Sequence, residues 1–254
     1  MPLLSASDSE YRIEDQKDDL DYEALSYAWG PEHDWASSRI RVYSRSRWRR
    51  RILKFSPALE MALRHLRRGD AARTLWIDAI CINQADLQER GLQVRRMGDI
   101  YRRALRVVAW LGPQTDNSKL ALNFLKHVKV VGMLSDGLGG FHWVERVEAF
   151  PFGGMPLEHA AFRDLIARPW FGRLWIRQEI ILGSPASVVQ CGHDEILWRQ
   201  FKDHIYYFWE WKLIQILSSN DQDEIDYAFV LHLENLAYLC LRNWGPLERI
   251  LESG

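Results

Sequence analysis

Two carboxylates lie where the sequence offers them few charged neighbours. Glu179 closes the stretch Trp175-Ile-Arg-Gln-Glu179. The spacing predicts one helix from Trp170 to Leu182. On it Phe171, Trp175, Gln178 and Leu182 share one face, and Trp170, Leu174 and Ile181 share another. Little of such a helix is left for solvent. The residues three and four before Glu179 are Ile176 and Trp175, neither a cation. The carboxylate therefore needs a distant partner, or its pKa rises. Arg173 and Arg177 stand four apart with like charge. They require an anion nearby, either an acidic side chain or a ligand phosphate. Asp78 is the second carboxylate, inside the apolar run Leu75-Trp-Ile-Asp-Ala-Ile-Cys-Ile82. An unpaired charge is costly there, so Asp78 must have a partner.

Each candidate has a structural reading beside a functional one. Glu179 is either a catalytic carboxylate or half of a buried ion pair with an arginine such as Arg90 or Arg168. Asp78 either binds a ligand at the carboxyl end of a parallel strand or makes a fixed contact to a helix N-terminus or an arginine. Asn83 and Gln84 follow that strand. They face the same cleft or serve as turn and cap residues. Ser26, Tyr27, Trp29 and Gly30 end the first strand and either line the cleft or pack the core. Arg90 and Gln93 lie on the following helix, turned to the cleft or paired at the surface.

The elements that position these residues follow from pattern. Tyr22 to Trp29 reads as a strand stopped by Gly30-Pro31. Residues 39–55 alternate loosely, giving one or two edge strands with Arg45 to Arg51 as a basic connection. Ser56-Pro57 opens a helix carrying Leu59, Leu63 and Leu66, ended by Gly69. Leu75 to Ile82 has the unbroken apolar character of a strand buried on both faces. Asp86 and Glu89 form a capping box for a helix whose buried stripe is Gln93, Met97, Ile100 and Ala104. Arg106 to Leu111 is a short strand, and Asp116-Asn117 caps a helix with Leu120, Phe124 and Val128. Gly132 to Gly154 shows no period and reads as a long loop. A helix over Leu157 to Ala167 ends near Pro169, Ser187 to Cys191 is a further strand, and Trp198 to Ile250 is helix-like. Strand and helix alternate, which predicts an α/β fold in three layers, a mainly parallel sheet flanked by helices, with a helical C-terminal extension. We divide the chain into a flexible segment over 1–20, a domain over 21–200 and the extension over 201–254.

Composition bounds the function. The 254 residues are 47% hydrophobic and 26% charged, with a formal net charge of −1, so nothing draws the whole chain to nucleic acid or anionic membrane. Twelve Trp imply a large core and an aromatic-walled cleft. Cys81, Cys191 and Cys240 form no CxxC pair, which argues against a disulfide scaffold and for a reducing compartment. With no signal peptide and no spanning apolar run, the expected location is the cytoplasm, with the nucleus also open. No phosphate-binding GxxxxGK[ST], HExxH or GxSxG occurs, and Gly137-Leu-Gly139-Gly140 is no dinucleotide fingerprint. The eight His show no pair at ligand spacing, so no metal ligand is assigned. The Arg45–Arg51 run reads as a solvated face, with nucleic acid or acidic lipid as the alternative.

Four blocks in order resemble the fungal heterokaryon-incompatibility (HET) domain family. They are Tyr22-Glu-Ala-Leu-Ser-Tyr-Ala-Trp-Gly30, Leu75-Trp-Ile-Asp-Ala-Ile-Cys-Ile-Asn-Gln84 with its continuation to Trp110-Leu111-Gly112, Arg168-Pro-Trp-Phe171 through Glu179, and Cys191-Gly192 to Trp198. The Arg45–Arg51 stretch departs from the family, which is similar elsewhere but has a short hairpin there. The resemblance implies a role in non-self recognition and regulated cell death. It also implies a distant likeness to TIR domains, which are flavodoxin-like and some of which cleave NAD. Their catalytic glutamate lies four residues after a Trp, as Glu179 follows Trp175, although Ile176 stands where that pattern has Cys. By that likeness NAD is the candidate substrate. Glu179 would hold the ribose hydroxyls and stabilise the oxocarbenium-like centre as nicotinamide leaves. Trp175 and its neighbours would stack a ring, and Arg173 would meet a phosphate. The alternative is a non-enzymatic module that acts by self-association or by binding a recognition partner protein.

Overall fold

The computed structural model describes residues 21–30, 38–43, 50–127, 132–135, 141–144, 156–218 and 227–241. Its strands are β1 (Glu23–Tyr27), β2 (Ser38–Tyr43), β3 (Arg50–Phe55), β4 (Leu75–Trp76), β5 (Arg106–Trp110), β6 (Gly132–Ser135), β7 (Phe141–Val144), β8 (Val188–Cys191) and β9 (Asp194–Leu197). Five of them form one sheet in the order β4-β1-β5-β8-β9. All neighbours in it are parallel except the β8–β9 hairpin. Counted along the chain, this order is 2-1-3-4-5, a doubly wound arrangement of the flavodoxin type.

The three layers follow from the period of two along buried strands. Ala24, Val107, Ala109, Val189 and Cys191 face one core, and Leu25, Tyr27, Val108, Trp110 and Val188 face the other. The second core is covered by α1 (Pro57–Leu66) through Leu59, Ala62 and Leu66. Ser56 caps that helix, its Oγ accepting from Leu59 N at 3.2 Å, as its sequence predicts. The helix ends at Leu66, three residues before Gly69.

The larger core gathers α3 (Leu87–Arg103), α4 (Asp116–His127), α5 (Pro156–Ile166), α7 (Trp198–Ser218) and α8 (Tyr227–Leu241). Asp86 caps α3 by accepting from Gln88 N and Glu89 N, but Glu89 turns back to Asn83 N instead of closing the box. Met97 and Ala104 are buried as expected, joined by Tyr101, whose hydroxyl donates to Leu25 O at 3.2 Å. The cap of α4 is Thr115, in reciprocal hydrogen bonds with Ser118, not Asp116-Asn117. Stacked rings join the helices: Phe162 on Phe208 at 4.1 Å and Phe171 on Phe201 at 5.6 Å.

Several expectations need correction. The strand expected over Leu75 to Ile82 ends at Trp76, and residues Asp78–Cys81 form a helical turn, α2. An apolar run of that length fits either state by periodicity. Asp78 decides it by accepting from Ala79 N at 2.7 Å, which suits a helix start and not a ladder. The helix expected over Trp170 to Leu182 is broken into a 3-10 turn, Pro169–Gly172, and a single α-turn, α6 (Ile176–Glu179). The Gly132 to Gly154 loop contains the antiparallel pair β6–β7, and β9 adds a strand after the Gly192 turn that the sequence pattern does not predict. Strands β2 and β3 pair antiparallel as a separate sheet, with Arg50 and Arg51 in β3 instead of in the connection. The segment over 1–20, Arg45 to Arg49, and Val128 lie outside the described residues.

Candidate functional site

Ser26 is the next-to-last residue of β1, on the side of the larger core. Its hydroxyl donates to Glu179 Oε2. Ser26 Oγ in turn accepts from Trp170 Nε1 at 2.7 Å and from Arg173 Nη1 at 3.3 Å. Arg173 also grips Glu179 with two parallel bonds, Nη1 to Oε2 at 2.8 Å and Nη2 to Oε1 at 2.9 Å. This bidentate geometry is the strongest form of the arginine–carboxylate contact.

Local chain geometry brings Arg173 and Glu179 together. Arg168 is extended before Pro169, as a residue preceding proline prefers to be. The 3-10 turn then carries Trp170 and Phe171 into the core, and Arg173 leaves it in an extended conformation. One turn of helix brings Glu179 back against it. Arg90 and Arg168 are not the partners. Arg90 is exposed, and the Arg168 guanidinium donates to Leu111 O at 3.0 Å and Pro113 O at 2.9 Å.

Glu179 has no accessible surface, whereas the Arg173 side chain keeps 18% of its own. Burial works against the charge on Arg173, but the Glu179 charge and its hydrogen bonds outweigh that and hold the arginine pKa above its usual value. Tyr101, fully buried nearby, has its phenol pushed up by burial and then by the Glu179 charge.

Asp78 lies just past the carboxyl end of β4. Its Oδ2 accepts from Trp29 Nε1 at 3.0 Å, and Gln84 Nε2 donates to its backbone carbonyl at 3.1 Å. Burial, followed by the Glu179 charge, pushes the Asp78 pKa up to about 7, opposed by the Ala79 N–H, Arg173 and the Trp29 indole. Two carboxylates thus share the field of one guanidinium. Tyr27 is buried on the opposite face, its phenol pushed up by burial and by the Asp78 charge.

The fold therefore brings Ser26, Arg173 and Glu179 into contact, and places Trp29, Asp78 and Gln84 in a second group beside them. The first group lies at the carboxyl end of β1, which with β5 flanks the point where strand order reverses, and the second lies at the ends of β1 and the edge strand β4. Ligands bind such switch points in open α/β sheets. The remaining candidates fall outside. Asn83 is exposed and takes Ala85 N on its side chain at 3.3 Å, a turn role. Gly30 closes β1 with φ +76°. Trp175 is 37% exposed at the rim and touches neither carboxylate by a hydrogen bond. Trp170 and Tyr101 also adjoin the site, although no sequence motif singles them out. Their signal was the pairing of a polar-tipped ring with a buried position, since a buried indole N–H needs an acceptor. Cavities of about 480 Å³ beside Thr115, Asp164 and Arg168, and about 210 Å³ beside Leu63, Arg67 and Leu75, include none of these side chains.

A doubly wound α/β domain with a sealed Ser–Arg–Glu cluster at its switch point is the class that fold and site define. Within that class, residues 22–179 match the family model described as heterokaryon incompatibility protein (HET), and the chain belongs to this family. It is also similar to heterokaryon incompatibility protein 6, OR allele, of Neurospora crassa, with 34% identity over 201 residues. That alignment covers 69% of this chain and 29% of the relative, so the chain spans less than a third of that protein's length. No solved structure matches.

Proposed function

We propose that this chain acts in fungal non-self recognition and regulated cell death, and that it signals by association and not by turnover. The family and the Neurospora relative support the first part. The observation that carries the second is the sealing of Glu179. It has no accessible surface, and its two oxygens are taken up by Arg173 and Ser26. A general acid or a ribose-binding carboxylate has to meet its substrate. Here both oxygens already accept from within the protein, and the cluster ties β1 to the turn carrying Trp170. Leu174 and Trp175, 65% and 37% exposed, flank the buried arginine and offer an apolar surface to a partner or a second copy.

A second reading, TIR-like NAD hydrolysis, is favoured by one observation, the place of Glu179 against Ser26 near the carboxyl end of β1, a strand that flanks the switch point. It requires Arg173 to swing away so that Glu179 can meet the ribose. The readings separate in a fungal cell-death assay. Replacing both members of a buried ion pair by apolar residues is often tolerated, because no charge is left stranded. The double variant Arg173→Met/Glu179→Leu should therefore fold and still kill, whereas Leu174→Asp should fold and fail to kill. A folded double variant that no longer kills would overturn association and support hydrolysis.

A further inference from the structure

The tip of the β8–β9 hairpin brings a histidine against α1, on the face of the sheet away from the larger core. Strand β8 turns into β9 over two residues, Gly192 and His193. Gly192 takes the first place with φ +60°, the conformation that a two-residue hairpin demands there. It is also locked in position. Its N–H donates to Gly112 O at 2.9 Å, and a Cβ on it would lie 2.6 Å from Gln114 Cβ. His193 is thereby projected from a rigid turn. Its ring centre stands 4.8 Å from that of His65, in the last turn of α1, with the planes 43° apart. His65 in turn lies against Trp110, the last residue of β5, at 5.0 Å.

Stacking alone would serve as well with phenyl rings; the nitrogens set this pair apart. His65 Nδ1 is 2.8 Å from Met61 O, and a carbonyl only accepts, so Nδ1 carries the proton. That leaves the Nε2 lone pair free. A histidine held by a carbonyl on one nitrogen is oriented for metal on the other. Among the described residues neither ring nitrogen of His193 has a hydrogen-bond partner. The neighbouring carboxylate, Asp194, is committed to Gln114 Nε2 and, at 3.6 Å, to Lys126 Nζ. Two imidazoles that bind one ion at about 2.0–2.1 Å, side by side in tetrahedral or square geometry, have ring centres roughly 4.5–5.2 Å apart. The observed 4.8 Å falls in that span. Imidazole nitrogen suits zinc, copper and nickel, whereas magnesium and calcium require oxygen. The negative end of the α1 dipole lies at His65 and favours a cation. Arg64, the cation next to His65, is paired with Glu60.

We propose that His65 and His193 form a Zn²⁺ site, bound through His65 Nε2 and a ring nitrogen of His193, with the remaining positions open to water. The ion staples α1 to the β8–β9 hairpin across the carboxyl end of β5. Spacing along the sequence conceals the pair, because only the fold brings the two residues together. The site shares no residue with the Glu179 cluster, so it stands whether or not that cluster turns over a substrate.

Thermal unfolding of the metal-stripped full chain, with and without Zn²⁺, tests it. At about a hundredfold excess over the dissociation constant, an ion bound only by the folded state should raise the midpoint by about 5 °C. His65→Phe and His193→Phe each keep a ring in the stack and remove the lone pair. Either should abolish the Zn²⁺ shift and leave the metal-free midpoint unchanged, while His127→Ala keeps the shift. Should His65→Phe unfold the chain, His193→Phe decides alone, since His193 is exposed on its turn. Cu²⁺ as a paramagnetic stand-in should show coupling to two imidazole nitrogens in the wild type. No Zn²⁺ shift in the wild type, a shift that survives His193→Phe, or coupling to a single nitrogen would overturn the proposal.

Discussion

Glu179 is held by groups from two parts of the chain, Arg173 close by and Ser26, 153 residues away in sequence. Removing the carboxylate alone strands Arg173 in a largely buried setting, which typically costs about 3–5 kcal/mol. Glu179→Ala should therefore lower unfolding stability by about that amount in urea titration, and Arg173→Met/Glu179→Leu by much less. A single variant as mild as the double one would show that the pair is not a structural lock. Asp78 makes a separate prediction. Its folded pKa, about 7, lies above the ordinary carboxyl value. Between about pH 4 and pH 7 the folded state thus binds a proton that the unfolded state has released. Stability falls as pH rises through this window, by up to about 1.4 kcal/mol per pH unit, and levels off above it. Asp78→Asn should remove that slope, measured by urea unfolding at several pH values.

At the scale of elements, local chemistry was readable and long-range pairing was not. The Ser56 and Asp86 caps act between neighbours, so the starts of α1 and α3 were legible in sequence. The apolar run after Leu75 hid the end of β4, because periodicity does not separate a short buried strand from a buried turn. Reading Trp170 to Leu182 as one helix concealed the main contact of the site. On a continuous helix, residues 173 and 179 are six apart and face different ways; only the break at Gly172 turns Arg173 onto Glu179. The two carboxylates are legible in the sequence because charge in an apolar run needs a partner. The identity of that partner depended on the break. The close approach of the α6 region to β5 supplies a prediction at this scale. A Cβ at Gly183 would lie 2.6 Å from Ser187 Oγ and 2.7 Å from Val107 Cγ2. Ser187 Oγ there accepts from Val107 N at 3.0 Å. Gly183→Ala should cost about 1–3 kcal/mol by overpacking, read as a lower denaturation midpoint with an unchanged slope. A neutral result would mean that this junction is looser than its geometry.

Across the whole molecule, the C-terminal helices are built into the domain. Phe201, Ile205, Tyr206 and Phe208 of α7 and Leu233 and Leu236 of α8 share the core that holds Trp170 and Ile176. Ring stacking carries that core directly to the site, since Phe171 stacks on Phe201 and Trp170 meets Phe171 edge-on at 4.9 Å. Trp170→Phe should weaken the Ser26 contact by about 1 kcal/mol, the usual worth of one hydrogen bond, while keeping the stack. A much larger loss would mean that the indole also shapes the core. Among the described residues no helix is long and apolar enough to cross a membrane. The domain thus presents a rigid interior, a sealed carboxylate at the switch point, and exposed apolar residues beside it.

The most direct test of that account is nicotinamide release from NAD by the purified chain, at a concentration high enough for self-association, beside Arg173→Met/Glu179→Leu. No release above the buffer rate is expected from either protein, with wild-type self-association lost in Leu174→Asp. Release by the folded wild type that disappears in the folded double variant would contradict it, and would make Glu179 the catalytic carboxylate of an enzyme.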